Sequence, residues 1–196
     1  MRGIKTGANC LTPTPTPADV VTFWRNAGPK KWFAKDDGFD RAIRDGFEAL
    51  HVQASRGELQ DWAETPEGAL ALLILLDQFP RNLYRGSAHA FATDPLAHGV
   101  AGRALDLGFD HQVPPELQPF FYLPFEHSER LEDQDRSVQL CERRRDATRD
   151  ADTLRWAILH RDIITRFGRF PHRNRCLGRA TTPEEQAFLD EGGFSG

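Results

Sequence analysis

The fold of this chain follows most directly from residues 65–82, which read TPEGALALLILLDQFPRN. Thr65 can cap the start of a helix, and Pro66 suits the first helical position, where the backbone N–H needs no partner. Residues 69–76 are apolar on every side and rich in Ala and Leu, which favours a central buried helix over a strand.

Further helices are predicted on both sides of this one, from caps, apolar periodicity and Gly or Pro stops. They begin after Thr16, at Asp36 or Asp37, at Thr93, near Pro114, at Pro124 (reaching about Arg145), at Asp152 (reaching about Gly168) and after Thr182. No segment alternates polar and apolar residues as a strand does. We therefore predict an all-α fold of stacked antiparallel helical hairpins, with residues 17–196 as a single domain. Residues 1–16, which end in alternating Thr and Pro, are predicted to be a disordered lead-in.

Size and composition are those of an ordinary globular domain. The 196 residues suffice to bury a core, and the net charge of -4 argues against a protein that coats nucleic acid or an anionic membrane. No apolar run approaches the roughly 20 residues of a membrane span. The three cysteines, Cys10, Cys141 and Cys176, are an odd number without paired spacing, which fits neither a disulfide framework nor a zinc knuckle. The first residues lack the apolar core and small-residue cleavage site of a signal peptide. These features predict a cytoplasmic protein with reduced thiols.

Two predicted helices each direct a histidine toward the core, at steps of three and four residues. The stripes are His127, Leu131, Gln134, Val138 and Cys141 on one helix, and Trp156, His160, Ile163, Phe167 and Phe170 on the other. A buried histidine is usually hydrogen-bonded and structural, so that interpretation stands beside a ligand-facing or catalytic role. The catalytic candidates are His127, His160 and Glu126.

Asp77 is unusual because it is predicted to end the most apolar helix. A carboxylate there opposes the negative end of the helix dipole, at a cost of roughly 0.3–1 kcal/mol, so we expect a cationic partner. Arg81 and Arg85 follow Asp77, while Arg166 and Arg169 end another helix with the same Phe-Pro stop. Either an internal ion-pair clamp or a binding pocket would account for these charges.

Arginines are concentrated between residues 161 and 179, where Asp162 is the only acidic residue. Planar guanidiniums suit phosphate or carboxylate, but cations near a helix C-terminus also complement its dipole. The cluster therefore predicts either helix capping or recognition of an anionic small molecule or peptide carboxylate, with nucleic acid less favoured. The candidate ligand-binding residues are Asp77, Gln78, Arg81, Asn82, Arg85, Arg166, Arg169, His172, Arg173 and Asn174.

Signals for metals and cofactors are weak. Glu48 and His51 form an i, i+3 pair like half of a di-metal bundle site, but no second such pair follows. Glu126, His127 and Glu129 supply ligand types on one turn. The chain has no glycine-rich phosphate loop, no Gly-x-Ser-x-Gly elbow and no His-Glu-x-x-His pair. We predict neither a metal nor a cofactor.

Three strings resemble one bacterial family closely: LLDQFPRN (75–82), LPFEHSE (123–129) and HRDIITRFGRFPHRN (160–174). This family is the domain of unknown function 924, in the tetratricopeptide-like helical superfamily. The similarity also includes, in order, residues 21–24, 32–33, 182–185 and 188–189. The resemblance implies a right-handed superhelix of tetratricopeptide-like hairpins and implies no particular activity.

The sequence leaves three hypotheses for function. The leading one is a binding or interaction module whose Arg, His and Asp side chains recognise an anionic small molecule or a peptide carboxylate. The second is an enzyme in which His127 or His160 is a general base, oriented by Glu126 or Asp77. The third is a structural ion-pair clamp with no ligand.

Overall fold

The computed structural model describes residues 14–149 and 151–194, and within them it contains helices and turns but no strand. Its helices are α1 (Pro17–Ala27), α2 (Pro29–Trp32), α3 (Asp37–Ser55), α4 (Pro66–Leu73), α5 (Phe79–Leu83), α6 (Asp94–Asp106), α7 (Leu123–Glu126), α8 (Leu131–Thr148), α9 (Asp152–Phe167) and α10 (Pro183–Asp190). The all-α prediction is confirmed. Most of the predicted disordered lead-in, residues 1–13, lies outside the described residues, and the predicted domain bounds stay a prediction.

The apolar segment at 69–76 forms the centre of the core, as predicted. Each of its side chains is at most 3% exposed. Helices α1 and α6 pack against α4, while α3 packs against α5. The cap is also as expected, because the Thr65 hydroxyl accepts a hydrogen bond from the Gly68 N–H at 3.1 Å. Local capping and complete burial together fix this helix in the middle of the fold.

The helix does not end at Asp77, contrary to the prediction. One π-helical turn, Ile74–Gln78, joins α4 directly to α5, and the Phe-Pro step lies inside this continuous helix. A π turn accommodates one residue more than an α turn does, so it rotates the residues that follow relative to those before. Asp77 lies within this turn and is 1% exposed.

Pro80 explains why the helix changes register at this point. Proline has no N–H to donate, so carbonyl groups one turn earlier lose their partner in the helix. Side chains from elsewhere in the fold form hydrogen bonds with these carbonyl groups instead. The Thr93 hydroxyl donates to the Leu76 carbonyl at 2.6 Å, and Nδ1 of His51 lies 2.8 Å from the Leu75 carbonyl oxygen. The buried backbone is thereby satisfied without ending the helix.

The predicted helix from Pro124 to about Arg145 is wrong, because it consists of two helices. Residues 127–130 separate α7 from α8, and this break changes the direction in which the later side chains point. Leu131 is consequently 46% exposed, although the stripe predicted from His127 placed it inside. Trp156, predicted on the inner stripe of α9, is similarly 44% exposed.

Helices α8 and α9 pack along each other as an antiparallel hairpin, after a short connection at 149–151. Other neighbouring pairs are α1 with α4 and α3 with α5. The more specific prediction of a right-handed tetratricopeptide-like superhelix stays a prediction. Over the described part of the chain, no helix is both long and apolar enough to cross a membrane. The cytoplasmic location also stays a prediction.

Candidate functional site

Asp77 and His127 form the centre of the candidate site. The π turn holds Asp77 inside the core, and His127 is the first residue after α7. Nδ1 of His127 lies 2.8 Å from Oδ1 of Asp77, while the Gln78 side-chain amide donates to Oδ2 at 2.5 Å. Burial favours the protonated carboxyl, but the charge of Arg81 and these hydrogen bonds outweigh it and lower the pKa of Asp77. The carboxylate is therefore ionised at neutral pH.

The imidazole of His127 is neutral and keeps one nitrogen available. Burial lowers the pKa of His127 to about 4, helped by the charge of Arg81 and opposed by Asp77. In a neutral imidazole, the nitrogen beside a carboxylate carries the proton, which leaves Nε2 as an acceptor. Among residues 14–149 and 151–194, no hydrogen bond involves this Nε2, and 14% of the side chain is exposed. A molecule at the surface of this site can therefore reach an imidazole lone pair.

Arg81 connects Asp77 to a second carboxylate. Its guanidinium forms a bidentate pair with Asp94, with both N–O distances at 3.1 Å. Nη1 also lies 3.2 Å from Oδ1 of Asp77 and donates to the Asp77 backbone carbonyl. The prediction of a cationic partner for Asp77 is thus confirmed for Arg81. Asp94 lies one residue after the predicted helix start at Thr93, and nothing in the sequence indicates its pairing with Arg81.

Arg173 brings a second positive charge to His127. Its Nη1 donates to the His127 carbonyl at 3.0 Å and lies 3.6 Å from Oδ2 of Asp94. The guanidinium lies over the rings of Phe91 and Phe170, at 4.6 and 4.5 Å from their centroids. Its buried Nε has no hydrogen-bond partner within the described residues. Burial lowers the pKa of Arg173 to about 10, so the side chain is still charged at neutral pH.

Glu126 and His160 form a second acid–imidazole pair. Oε1 of Glu126 lies 3.2 Å from Nδ1 of His160, and that nitrogen is also 2.8 Å from the Trp156 carbonyl oxygen. Because a carbonyl can only accept, Nδ1 of His160 carries the proton. Burial raises the pKa of Glu126 to about 8, with a further contribution from the charge of Asp77. Burial lowers the pKa of His160 to about 4, so at neutral pH both members of this pair are uncharged.

A third imidazole, His172, lies at the edge of this group. Its Nδ1 is buried and has no hydrogen-bond partner in the part of the chain that the structure describes. Burial is the main cause that lowers the pKa of His172 to about 3. The ring of Phe194 packs against His172 at 5.2 Å and against His160 at 4.5 Å. The ring centroids of His127 and His160 are 6.4 Å apart, so the three histidines form one neutral, aromatic-lined group.

Several predicted ligand residues lie outside this group, near the C-terminus. Arg166 pairs with Glu184 at 3.0 Å, and Arg169 holds both carboxylate oxygens of Glu185 at 2.6 and 2.8 Å. Asn174 donates to Glu185 at 3.1 Å. The expectation that Arg166 or Arg169 meets Asp77 is wrong, because nearer acids on α10 occupy both guanidiniums. Their roles in ligand binding stay predictions.

We use the name C-terminal ion-pair cluster for Glu129, Arg169, Asn174, Arg179 and Glu185. Arg179 holds both carboxylate oxygens of Glu129, at 2.7 and 3.0 Å, and donates to the Asn174 side chain at 2.9 Å. Neither acid was predicted as an arginine partner, since Glu129 was considered only as a metal-ligand type and Glu185 lies in the first turn of the helix predicted after Thr182. The capping box at the start of α10 is present, yet the same carboxylate also holds Arg169.

The remaining candidates, Asn82 and Arg85, bind a third acid. Arg85 meets the two oxygens of Asp40 at 2.7 and 3.1 Å, and Asn82 donates to Asp40 at 2.8 Å. Arg85 is therefore not the partner of Asp77 that the sequence suggested. Among the residues described, His, Cys, Asp and Glu side chains do not gather in threes as a metal site requires.

Comparison with known proteins places the chain in a family. The family described as "Bacterial protein of unknown function (DUF924)" matches residues 20–193. The structure of the protein of unknown function ATU0120 from Agrobacterium tumefaciens is similar, with a TM-score of 0.85 and 50% sequence identity. That similarity covers 90% of this chain and 97% of the other. No curated protein matches the chain significantly. The match over most of its length shows that the chain belongs to the DUF924 family, as the three strings predicted.

Proposed function

We propose that this protein is an enzyme in which His127 acts as a general base toward a small molecule. One observation carries the proposal: a buried, ionised Asp77 holds Nδ1 of a neutral imidazole at 2.8 Å, and Nε2 is left unbonded within the described residues. A carboxylate that fixes the tautomer and orientation of a histidine is a recurring way to prepare a base.

The neighbouring groups suit the other steps of proton transfer. Arg173 lies beside the His127 backbone and supplies a fixed positive charge for negative charge that develops on the substrate. Glu126 is protonated at neutral pH, since burial raises its pKa to about 8, so it can donate a proton. Paired titratable groups whose pKa values are driven apart are typical of acid–base sites.

The charges also favour a substrate that is neutral before the reaction. The positive charges of Arg81 and Arg173 face the carboxylates of Asp77 and Asp94, so the site has little excess positive charge with which to hold a resting anion. The arginines predicted to strengthen anion binding, Arg166 and Arg169, have acidic partners elsewhere. These observations support the general-base hypothesis more than the anion-binding module. The limited exposure of His127 and His160, 14% and 7% of the side chain, suits a small group or the end of a longer molecule.

The first experiment tests whether Nε2 of His127 is chemically available. Diethyl pyrocarbonate acylates an unprotonated imidazole nitrogen, and peptide mass spectrometry identifies the histidine that reacts. We expect modification at His127 and, as a positive control, at His111, whose side chain is 76% exposed. Reaction at His111 with none at His127 would indicate a sealed structural clamp and would overturn the proposal.

The second experiment tests catalysis without a known substrate. The purified protein is incubated with a bacterial metabolite extract, and untargeted mass spectrometry records which compounds are consumed. We expect at least one compound to be consumed by the wild type and by His111→Asn, but not by His127→Asn. Consumption of nothing by folded wild type, or equal consumption by His127→Asn, would contradict the proposed role. Circular dichroism of each variant confirms that it is folded.

A further inference from the structure

A cavity of about 360 Å³ lies beside the first turns of α3 and shares no residue with the histidine group. Its charged lining consists of four cations, Lys35, Arg41, Arg44 and Arg85, and two carboxylates, Asp37 and Asp40. The volume is within the range of small-molecule sites. Positive charge therefore predominates in a concave part of the surface, although the protein as a whole is negative.

Part of this lining is held rigidly by contacts within the protein. The bidentate Arg85–Asp40 pair is supported by Asn82, which donates to the same carboxylate at 2.8 Å. Nη2 of Arg44 donates to the Leu83 carbonyl at 2.6 Å, which positions its guanidinium across from α5. These groups form a wall whose geometry is set before any ligand arrives.

Two cations in the lining have no such partner. Across the described residues, the side chains of Lys35 and Arg41 make neither an ion pair nor a hydrogen bond. The nearby Asp36 is already engaged, because its carboxylate accepts the N–H groups of Gly38 and Phe39 at the start of α3. The cavity thus presents two cations without a direct ion pair among the described residues, although the charge of Arg41 helps to lower the pKa of the nearby Asp36.

We propose that this cavity binds a small oxyanion with more than one negative charge, carried by phosphoryl or clustered carboxylate groups. Arg41 can form paired hydrogen bonds to such a group, and Lys35 supplies a mobile ammonium opposite it. Arg44 adds a third cation at a fixed position, where Glu48 lies 3.8 Å from its Nε and offsets part of the charge. This site is independent of the proposed catalysis at His127, and either proposal can fail without the other.

Isothermal titration calorimetry at constant ionic strength tests the proposal, with pyrophosphate and citrate as probes. We expect saturable binding of at least one probe, and the stronger of the two identifies phosphoryl or carboxylate as the preferred group. Lys35→Gln and Arg41→Gln should each weaken that binding by about tenfold, the effect of losing a charged hydrogen bond.

Lys30→Gln is the matched control, because it removes the same charge from the same segment but from outside the cavity lining. Binding by this variant should equal that of the wild type. Absence of binding for both probes would overturn the proposal. Equal weakening by Lys30→Gln and Lys35→Gln would also overturn it, since the anion would then sense only the overall charge of the region.

Discussion

The histidine group around Asp77 and the C-terminal ion-pair cluster are built from similar residue types but differ in how their charges are satisfied. In the cluster, Glu129 and Glu185 each receive both arms of a guanidinium. In the histidine group, Glu126 has an imidazole as its neighbour, and Nε2 of His127 is unbonded among the described residues.

The two regions differ in the pKa of one carboxyl, that of Glu126, whereas Asp77 in the histidine group has a lowered pKa as Glu185 does. The hydrogen bond from Arg169 is the main cause that lowers the pKa of Glu185 to about 2, whereas burial raises the pKa of Glu126 to about 8. A carboxyl with a lowered pKa adds to stability at neutral pH, while one with a raised pKa detracts from it. The difference teaches that the cluster is explained by folding alone. Within the histidine group, Glu126 carries a cost that folding does not explain, as residues of functional sites often do.

The largest effect should come from Asp77→Asn. This change removes the buried carboxylate shared by His127 and Arg81 and leaves a partly buried guanidinium with one partner fewer. We expect the free energy of unfolding to fall by about 3 kcal/mol, as when one member of a buried ion pair is lost. Urea denaturation at pH 7 measures it, and a loss below that of Glu185→Gln would reverse our ranking of the two regions.

The next effect is a pH dependence that Glu126→Gln should remove. Between the ordinary pKa of 4.5 and the folded value of about 8, the unfolded chain releases the Glu126 proton while the folded protein keeps it. Stability from this group is therefore complete below pH 4.5 and is lost as the pH rises toward 8. We expect Glu126→Gln to match the wild type at pH 4.5 and to exceed its stability by about 2 kcal/mol at pH 6.

Titration of the histidines does not change the expected difference in stability between the wild type and Glu126→Gln. His127 and His160 have lowered pKa values, so their contribution is lost as the pH falls from 6.5 toward 4. Glu126 is not among the causes of either shift, so we expect the same contribution in both proteins. Urea denaturation at several pH values gives the difference directly. A difference that does not change with pH would show that Glu126 is ionised in the folded protein.

A smaller effect is expected from Glu185→Gln in the C-terminal ion-pair cluster. The variant keeps a side chain of similar size but weakens the bonds to Arg169 and the cap at Thr182. We expect the Tm to fall by about 3 °C, with unchanged diethyl pyrocarbonate reactivity at His127. Differential scanning calorimetry provides the Tm. A change in His127 reactivity would show that the two regions are coupled.

The smallest effect should be that of Arg166→Ala. Both members of the Arg166–Glu184 pair are more than half exposed, at 53% and 65% of their side chains. Such a pair contributes about 0.5 kcal/mol or less, and salt screens it. Thermal unfolding at low and high salt should therefore show almost no difference from the wild type. A clear loss at either salt concentration would mean that this arginine matters more than its exposure indicates.

Most of the fold could be predicted from the sequence, because helix caps and apolar runs are local signals. Thr65, Thr16 and Thr182 each cap the helix predicted for them. The break at 127–130 was not predicted, because the apolar spacing was read as continuing across it. In the structure the Gln134 side chain donates to the Glu126 and Ser128 carbonyls at this break. Periodicity carried across that break then misplaced Leu131.

The candidate site could be predicted from the sequence only in part. Asp77 and His127 stood out because polar residues occurred on apolar faces, and the structure brings them together. The partners of Arg166 and Arg169 were not accessible, since helical spacing shows which face a side chain occupies but not which distant acid lies nearest. Lys35 and Arg41 gave no signal at all, because charged residues at the start of a solvent-exposed helix are ordinary.

The π turn at Ile74–Gln78 sets the rotation of the residues that follow it, and these residues contribute to both proposed sites. Upstream residues pack the core, while downstream Arg81 reaches Asp94 and Arg85 reaches Asp40. Deleting one residue from the turn would remove the extra residue but would rotate everything after it by about 100° about the helix axis. Arg81 would then no longer reach Asp94, and Arg85 would no longer reach Asp40. One inserted residue therefore positions side chains of both the proposed catalytic site and the anion cavity.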